Sequence, residues 1–551
     1  MPKTTLWDRL SAHRGSRSGA SSDAGENLGF IFRRPLTEKR SLSALSLPQR
    51  LALVGIAALT LAIRVALALI SNYTSEDAYI TFRYARNLVN GAGFVYNEGA
   101  RVLGTTTPAL TLFLAGAGTL RFDWIWCAKA AGITADVIST WLVFSLARDL
   151  TKSGRWALLS AFLFSTSGPA AVWSVSGMET ALFTLSVLLT LAAFAAQRNL
   201  GVALGCSLAI LIRPEGLLLE AVVIALMLLE SPPRALRVMG FTALLVAPWV
   251  VWSYAYFGDV VPMSVQAKAA LYGSAWNWKR LVSDFVNFVL GVGYAFQPNL
   301  HYKYVLADVC GWLTFAIFLT GLAVSGWRRR QRAAAFLFFS LYVPYSFVSF
   351  PFAWYWVPLT PLAALFVTAG CAALVAASPR RVAPAVAAFV CGVVIAVNVL
   401  VLPDLSNQLK RWRHADRSLF EASGVWLQSN TAANSVVCTE HIGYIGYFSQ
   451  RTILDTSGLV SPEVVAFSRR MRIRYEPLRT LELLRSGITR CDYFVISADM
   501  WEAMLRIDRK SAEPILATLF TQVVAFDDTS APTSSWYPHR VLILQPHEQF
   551  P

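Results

Sequence analysis

Apolar runs about twenty residues long, separated by short polar gaps, fill the chain from residue 51 to 403. A helix needs about 17 to 25 apolar residues to cross the hydrocarbon of a bilayer, and runs of about 10 to 14 lie in the interface or re-enter. The pattern predicts spans at 51–71, 124–147, 156–174, 180–197, 200–213, 216–230, 238–257, 304–325, 333–350, 355–377 and 383–402. The run at 108–120 is too short and is expected along the outer surface. The fifth and sixth spans are interrupted by Arg213-Pro214-Glu215-Gly216, so a single broken helical hairpin is an alternative for that pair.

After Pro403 the pattern changes. Charged residues return, and short alternating runs at 435–438, 452–454 and 493–496 mix with helical stretches at 405–429 and 474–486. The expected architecture is a polytopic α-helical membrane protein with about eleven transmembrane helices: a cytoplasmic tail over 1–50, a membrane domain over 51–403 whose first outer loop is 72–123, and a soluble α/β domain over 404–551.

Composition agrees. The 551 residues are 55% hydrophobic and only 15% charged, with a mean hydropathy of +0.49, too apolar for one soluble domain of this size. The net charge of +15 does not point to nucleic acid, because the basic residues fall in gaps that eleven spans with an inner N-terminus place in the cytoplasm. These are Arg148, Lys152 and Arg155; Arg198; Arg234 and Arg237; Arg328 to Arg332; and Arg380 with Arg381. Counting 108–120 as a span would put the 328–332 cluster outside. The expected location is a bacterial plasma membrane, with the segment after Pro403 periplasmic or extracellular. The first 50 residues carry nine Lys and Arg against four Asp and Glu and lack the apolar core of a signal peptide. None of the seven Cys has zinc-type spacing; an oxidising compartment would allow Cys438 and Cys491 to pair.

The chemistry is expected just after the first span, where Glu76 and Asp77 open an amphipathic helix over 77–90 at the membrane interface, with Arg83 and Arg86 one to two turns on. Two readings compete. A Thr74-x-x-Asp77 capping box would make the carboxylate a helix cap. Alternatively one carboxylate takes a proton from an acceptor hydroxyl, the other orients it, and basic groups meet a phosphate. Glu179, Arg213, Glu215, Lys268, His301, Lys303 and Tyr355 fall on the same side and are candidates for holding a phosphate or sugar. His441 and Asp455, at predicted strand ends, are candidates for an acceptor. No Walker loop, GxGxxG after a strand or HExxH is present, so no nucleotide cofactor is expected; a divalent cation is left open.

The motifs Glu76-Asp77-Ala78-Tyr79-Ile80-Thr81-Phe82-Arg83-Tyr84-Ala85-Arg86-Asn87-Leu88, Gly91-x-Gly93-Phe94-Val95-Tyr96-Asn97 and Gly104-Thr105-Thr106-Thr107-Pro108 resemble those of the GT-C membrane glycosyltransferases, nearest the group of the mycobacterial terminal β-1,2-arabinofuranosyltransferase. Gly177-Met178-Glu179-Thr180, Arg213-Pro214-Glu215-Gly216, Ile442-Gly443-x-x-Gly446 and Asp455-x-x-Gly458-Leu459 fit the same group, so the resemblance runs from about 50 to 465. It implies an inverting transferase facing the cell exterior, with a polyprenyl-phosphate-linked sugar as donor, a cell-envelope glycan or glycolipid as acceptor, Asp77 as base and Glu76 beside it. Glu76, Glu98 and Thr105 depart from the family pattern, which bears on the donor sugar and on any metal. A transporter or flippase of a lipid-linked sugar, with Arg213 and Glu215 on its path, is the alternative.

Overall fold

The computed structural model describes residues 45–272, 305–325, 334–335, 337–341, 343, 352–473, 475–487, 490–511, 516–529 and 538–547. Residues 1–44 of the tail expected over 1–50, His301, Lys303, the 328–332 basic cluster and most of the expected 333–350 span lie outside the described residues; the last four residues of that expected tail, 47–50, are already helical.

Among the described residues, four helices are long and apolar enough to cross a membrane by length and composition: α1 (Leu47–Ser71), α4 (Trp124–Thr151), α10 (Pro232–Phe257) and the stretch Ala353–Ala377, which begins in two 3₁₀ turns and continues as α13 (Thr360–Ala377). The expected span at 156–174 is a broken pair, α5 (Gly154–Ser165) and α6 (Gly168–Ser174), bent by 54°. Between these lie α2 (Glu76–Val89), α3 (Pro108–Thr119), α7 (Thr180–Ala195), α8 (Asn199–Ile212), α9 (Gly216–Leu228), α11 (Met263–Tyr272) and α12 (Val305–Ser325). The outward faces stay apolar: Leu69, Leu217, Leu229, Leu244 and Val251 are all at least 60% exposed. Such faces are stable against lipid and not against water.

Inside, Val143, Phe144, Phe183, Val187, Leu219, Phe318, Leu362 and Phe366 form one continuous core. A charge is buried there too. Arg64 of α1 pairs with Asp136 of α4 at 3.0 Å, and its guanidinium donates to the Phe164 and Ser165 carbonyls. Those carbonyls lie where α5 breaks; the Phe164 carbonyl also accepts the Ser167 amide at 3.2 Å, and Arg64 adds a second donor to this last turn.

The boundary expected at Pro403 lies inside one helix. α14 (Ala383–Ala415) runs on through a π-helical turn, Asp416–Glu421, into α15 (Ala422–Asn430). Beyond it, β1 (Val436–Thr439), α16 (Tyr444–Ser449), β2 (Thr452–Asp455), α17 (Pro462–Met471), α18 (Glu476–Arg485), β3 (Tyr493–Ser497), α19 (Ala498–Lys510), β4 (Phe520–Asp527) and β5 (Arg540–Pro546) build a five-stranded sheet in the order β2-β1-β3-β5-β4. The first three strands are parallel and the last two antiparallel. Strand alternation divides the sheet's burial. Val437, Val495, Val541 and Ile543 face the membrane helices and the first loop, while Cys438, Phe494, Ile496 and Leu542 share a second core with α18 and α19. Cys438 and Cys491 form a disulfide across this sheet.

Candidate functional site

The first turn of α2 is fixed from three directions. Below it, the Ser75 amide donates to the Ser176 carbonyl at 2.8 Å, and Gly177, at φ +82°, packs so closely that a Cβ there would lie 3.2–3.3 Å from Phe82, Ala78 and Thr74. Above it, the Glu76 carboxylate accepts the Gly443 amide, and the Tyr444 hydroxyl donates to the Thr74 carbonyl at 2.8 Å. Beside it, Tyr96 donates to the Ile442 carbonyl. The glycines of Ile442-Gly443-x-x-Gly446 make this approach possible: a Cβ at Gly443 would stand 2.0 Å from the Glu76 carbonyl oxygen, and one at Gly446 1.8 Å from the Tyr96 hydroxyl. The expected surface helix is therefore mostly buried, because the C-terminal segment covers it. Nor does a capping box form. The N-cap is Ser75, and it makes no side-chain capping bond.

Glu76 and Asp77 are half-buried in that first turn, where the helix macrodipole favours negative charge. Burial, reinforced by the Asp77 charge and by a hydrogen bond between the two carboxyl groups, raises the Glu76 pKa well above the ordinary glutamate range. A protonated Glu76 carboxyl can donate a hydrogen bond to the neighbouring carboxylate.

Asp77 lies within electrostatic reach of Glu179 and Lys268. Glu179 accepts from Arg213 at 2.8 Å, and Arg213 grips Glu215 through two nitrogens at 2.7 and 3.3 Å. Lys268 on α11 donates to the Tyr355 hydroxyl at 3.1 Å. The Tyr355 ring meets both cations, with Lys268 Nζ 5.6 Å and Arg213 Cζ 5.3 Å from its centroid. Burial alone would lower the Lys268 pKa, but Tyr355 and Asp77 outweigh it and the net direction is upward; the ammonium stays charged. Phe352, stacked on Trp354 at 4.6 Å, completes an aromatic wall beneath it. Six of the expected residues thus gather around Asp77: Glu76, Glu179, Arg213, Glu215, Lys268 and Tyr355.

Four others do not join them. Arg83 donates to the Tyr96, Gly446 and Arg451 carbonyls and to Asn97, so its guanidinium ties the first loop to the C-terminal segment. Arg86 donates to the Tyr447 carbonyl and lies over that ring at 4.5 Å. Asp455 is fully buried and accepts the Ser457, Leu459 and Val460 amides, which shapes the loop after β2. His441 packs on Phe420 with ring centroids 4.1 Å apart, and burial lowers its pKa to about 4, so it is neutral. Among the described residues no group of three or more His, Cys, Asp or Glu is arranged to hold a metal ion. The Gly443 amide is the partner that the reading of single motifs missed; the Gly-x-x-Gly spacing was its signal.

The structure of ArnT from Cupriavidus metallidurans bound to undecaprenyl phosphate superposes with a TM-score of 0.54, covering 90% of this chain and 98% of that one at 13% identity, and its apo form gives 0.52. The chain has the GT-C fold of ArnT. In sequence, the terminal β-(1→2)-arabinofuranosyltransferase of Mycobacterium tuberculosis is 27% identical over 240 residues, which cover 39% of this chain and 38% of that protein. The enzyme of the same name from Corynebacterium glutamicum is 25% identical over 262 residues, covering 40% and 37%. The chain therefore spans less than two-fifths of the length of the curated relatives it matches. Residues 407–538 match a domain of unknown function, DUF8728.

Proposed function

We propose that this protein is a membrane glycosyltransferase that moves a sugar from a polyprenyl-phosphate donor to a hydroxyl of a cell-envelope glycan or glycolipid. The observation that carries the reading is the placement of Asp77, a carboxylate in a helix first turn, beside a cationic pole formed by Lys268 and Arg213 around Tyr355. The solved neighbour was crystallised with undecaprenyl phosphate, and the relatives are named arabinofuranosyltransferases, which supports the lipid phosphate and a glycosyl transfer.

The chemistry follows from the charges. Asp77 takes the proton of the acceptor hydroxyl as its oxygen bonds the anomeric carbon; the bond from that carbon to the phosphate oxygen breaks, and its electron pair leaves on the lipid phosphate. Displacement from the opposite face inverts the anomeric centre. The phosphate leaves as a stable anion without protonation, so Lys268, the Tyr355 hydroxyl and Arg213 need only neutralise the charge that develops on it. Glu76, neutral, orients Asp77 while accepting the Gly443 amide. Glu179 and Glu215 hold the Arg213 guanidinium in place.

The eleven-span layout, the cytoplasmic N-terminus and an outer α/β domain after residue 403 belong to the same reading. The basic gaps support the orientation, and the Cys438–Cys491 disulfide suits an oxidising compartment outside the cytoplasm. The decisive experiment is Asp77→Asn. Sugar transfer from a polyprenyl-phosphate donor should vanish while undecaprenyl phosphate still binds, and unchanged turnover would remove Asp77 as the base. A transporter would instead move the labelled lipid-linked sugar across vesicles with no glycosidic product.

A further inference from the structure

A groove of about 490 Å³ opens on the π-helical turn and α15, lined by none of the residues gathered around Asp77. Two half-buried aromatic rings, Trp426 and Phe526, meet four polar side chains along it: Arg417, Glu421, Ser429 and Asn430. Trp426 is braced edge-on by Tyr493, with ring centroids 6.5 Å apart, so its orientation is set before anything binds. Arg417 and Ser429 are exposed and make no hydrogen bond or ion pair among the described residues, which leaves their donors directed to solvent or to a ligand. An open trough with a fixed aromatic floor and a rim of hydrogen-bonding groups has the chemistry of a sugar: axial C–H faces lie on the ring, and hydroxyls meet guanidinium, carboxylate and amide. Local π-helix recurs at functional positions in helices, and here it supplies Arg417 and Glu421.

The groove also connects to α2. Glu421 accepts from Arg413 at 2.7 Å, and both charges act on Tyr79, two positions after Asp77. Asp416, at the start of the same π-turn, accepts from Tyr444 at 3.2 Å, whose hydroxyl also reaches the Thr74 carbonyl.

We infer that the Arg417–Trp426–Phe526 groove is a glycan-binding subsite, which holds an oligosaccharide stretch of the acceptor while its reacting end lies at Asp77. This rests on the transferase reading, yet binding is measurable without turnover. Full-length protein in lipid nanodiscs is titrated by calorimetry and saturation-transfer NMR with two probes, a linear arabinofuranosyl hexasaccharide and a mannohexaose. At least one should bind. Trp426→Ala and Arg417→Ala should each weaken that binding about tenfold, Trp426→Phe should retain it, and Asp77→Asn should not change it. Arg417 is exposed and unengaged, so its removal leaves the fold intact, and undecaprenyl phosphate binding by each variant checks this. Binding of neither probe, or binding unaffected by both alanine variants, overturns the subsite. If instead the probes bind as expected and the parent protein forms no glycosidic product from a polyprenyl-phosphate donor, the transferase reading fails while the groove stands.

Discussion

The carboxylate of Glu76 and the backbone amide of Gly443 are hydrogen-bonded across 367 positions of sequence. This contact joins the first turn of α2 to the start of α16, so the geometry of Asp77 depends on a segment far along the chain.

Replacement of Gly443 by Ala tests that dependence. The new Cβ would fall 2.0 Å from the Glu76 carbonyl oxygen, and because the obstacle is backbone, α16 must shift away from α2. Overpacking of this kind costs about 1–3 kcal/mol. The expected result is at least a tenfold loss of the proposed transfer together with faster proteolysis after residue 430. Gly55→Ala, where a Cβ would meet nothing within 4 Å, is the control and should match the parent.

A second test separates the two carboxyls. Burial and the Asp77 charge raise the Glu76 pKa, so the folded protein keeps a proton there that the unfolded chain has lost. The resulting stabilisation is complete below the ordinary glutamate pKa of about 4.3 and is lost as pH rises through the elevated folded value. Glu76→Gln mimics the protonated form: it still accepts from Gly443 and donates to Asp77. It should keep transfer within about threefold of the parent and remove this contribution to the alkaline fall in thermal stability. Equal losses in Glu76→Gln and Asp77→Asn would sink the division of roles.

The disulfide gives a third. Cys438 and Cys491 are 53 positions apart, and closing a loop of that length stabilises by up to about 4 kcal/mol in the chain-entropy account. Cys491→Ser should lower the melting temperature of the protein, and alkylation with mass spectrometry should find both thiols blocked in protein prepared from the membrane without reductant. Free thiols at both positions would argue against an oxidising compartment.

How much of this was legible beforehand depended on whether a contact is local. Length and hydropathy sufficed for α1 and α4, whose limits at Leu47–Ser71 and Trp124–Thr151 lie within a few residues of the expected spans. Short alternating runs likewise located β1, β2 and β3, but β4 and β5 carried no comparable signal in the reading. Arg83 was assigned to a phosphate because helical spacing shows which face a side chain occupies and not which carbonyls it meets; its acceptors lie as far away as Arg451. Arg64 and Asp136 were hidden inside apolar runs, since hydropathy averages over a charge that its partner neutralises. The change of composition after Pro403 does not end the helix there, since α14 runs through that position and on to Ala415.

The cationic pole offers the sharpest separation of roles. Lys268 and Arg213 both face Tyr355, but they are held differently: Arg213 is locked between Glu179 and Glu215, whereas Lys268 donates to the Tyr355 hydroxyl. In the proposed mechanism Lys268 therefore supplies a charge to the donor phosphate, while Arg213 supplies charge and is itself held by two carboxylates. Lys268→Met should lower kcat/KM for the donor by about 10²–10³ with little change in thermal stability, because one charge-assisted contact to a developing anion is lost. Tyr355→Phe removes only the hydroxyl and should cost about tenfold or less. Arg213→Lys, conservative in charge, should be worse than either in stability, since a single ammonium cannot reproduce the fork to Glu215 while reaching Glu179, and a buried carboxylate left unpaired costs about 3–5 kcal/mol. Steady-state kinetics against donor concentration, paired with thermal melts of the three variants, checks the ordering; Arg213→Lys melting with the parent would show that the Glu179–Arg213–Glu215 bonds do not hold the site.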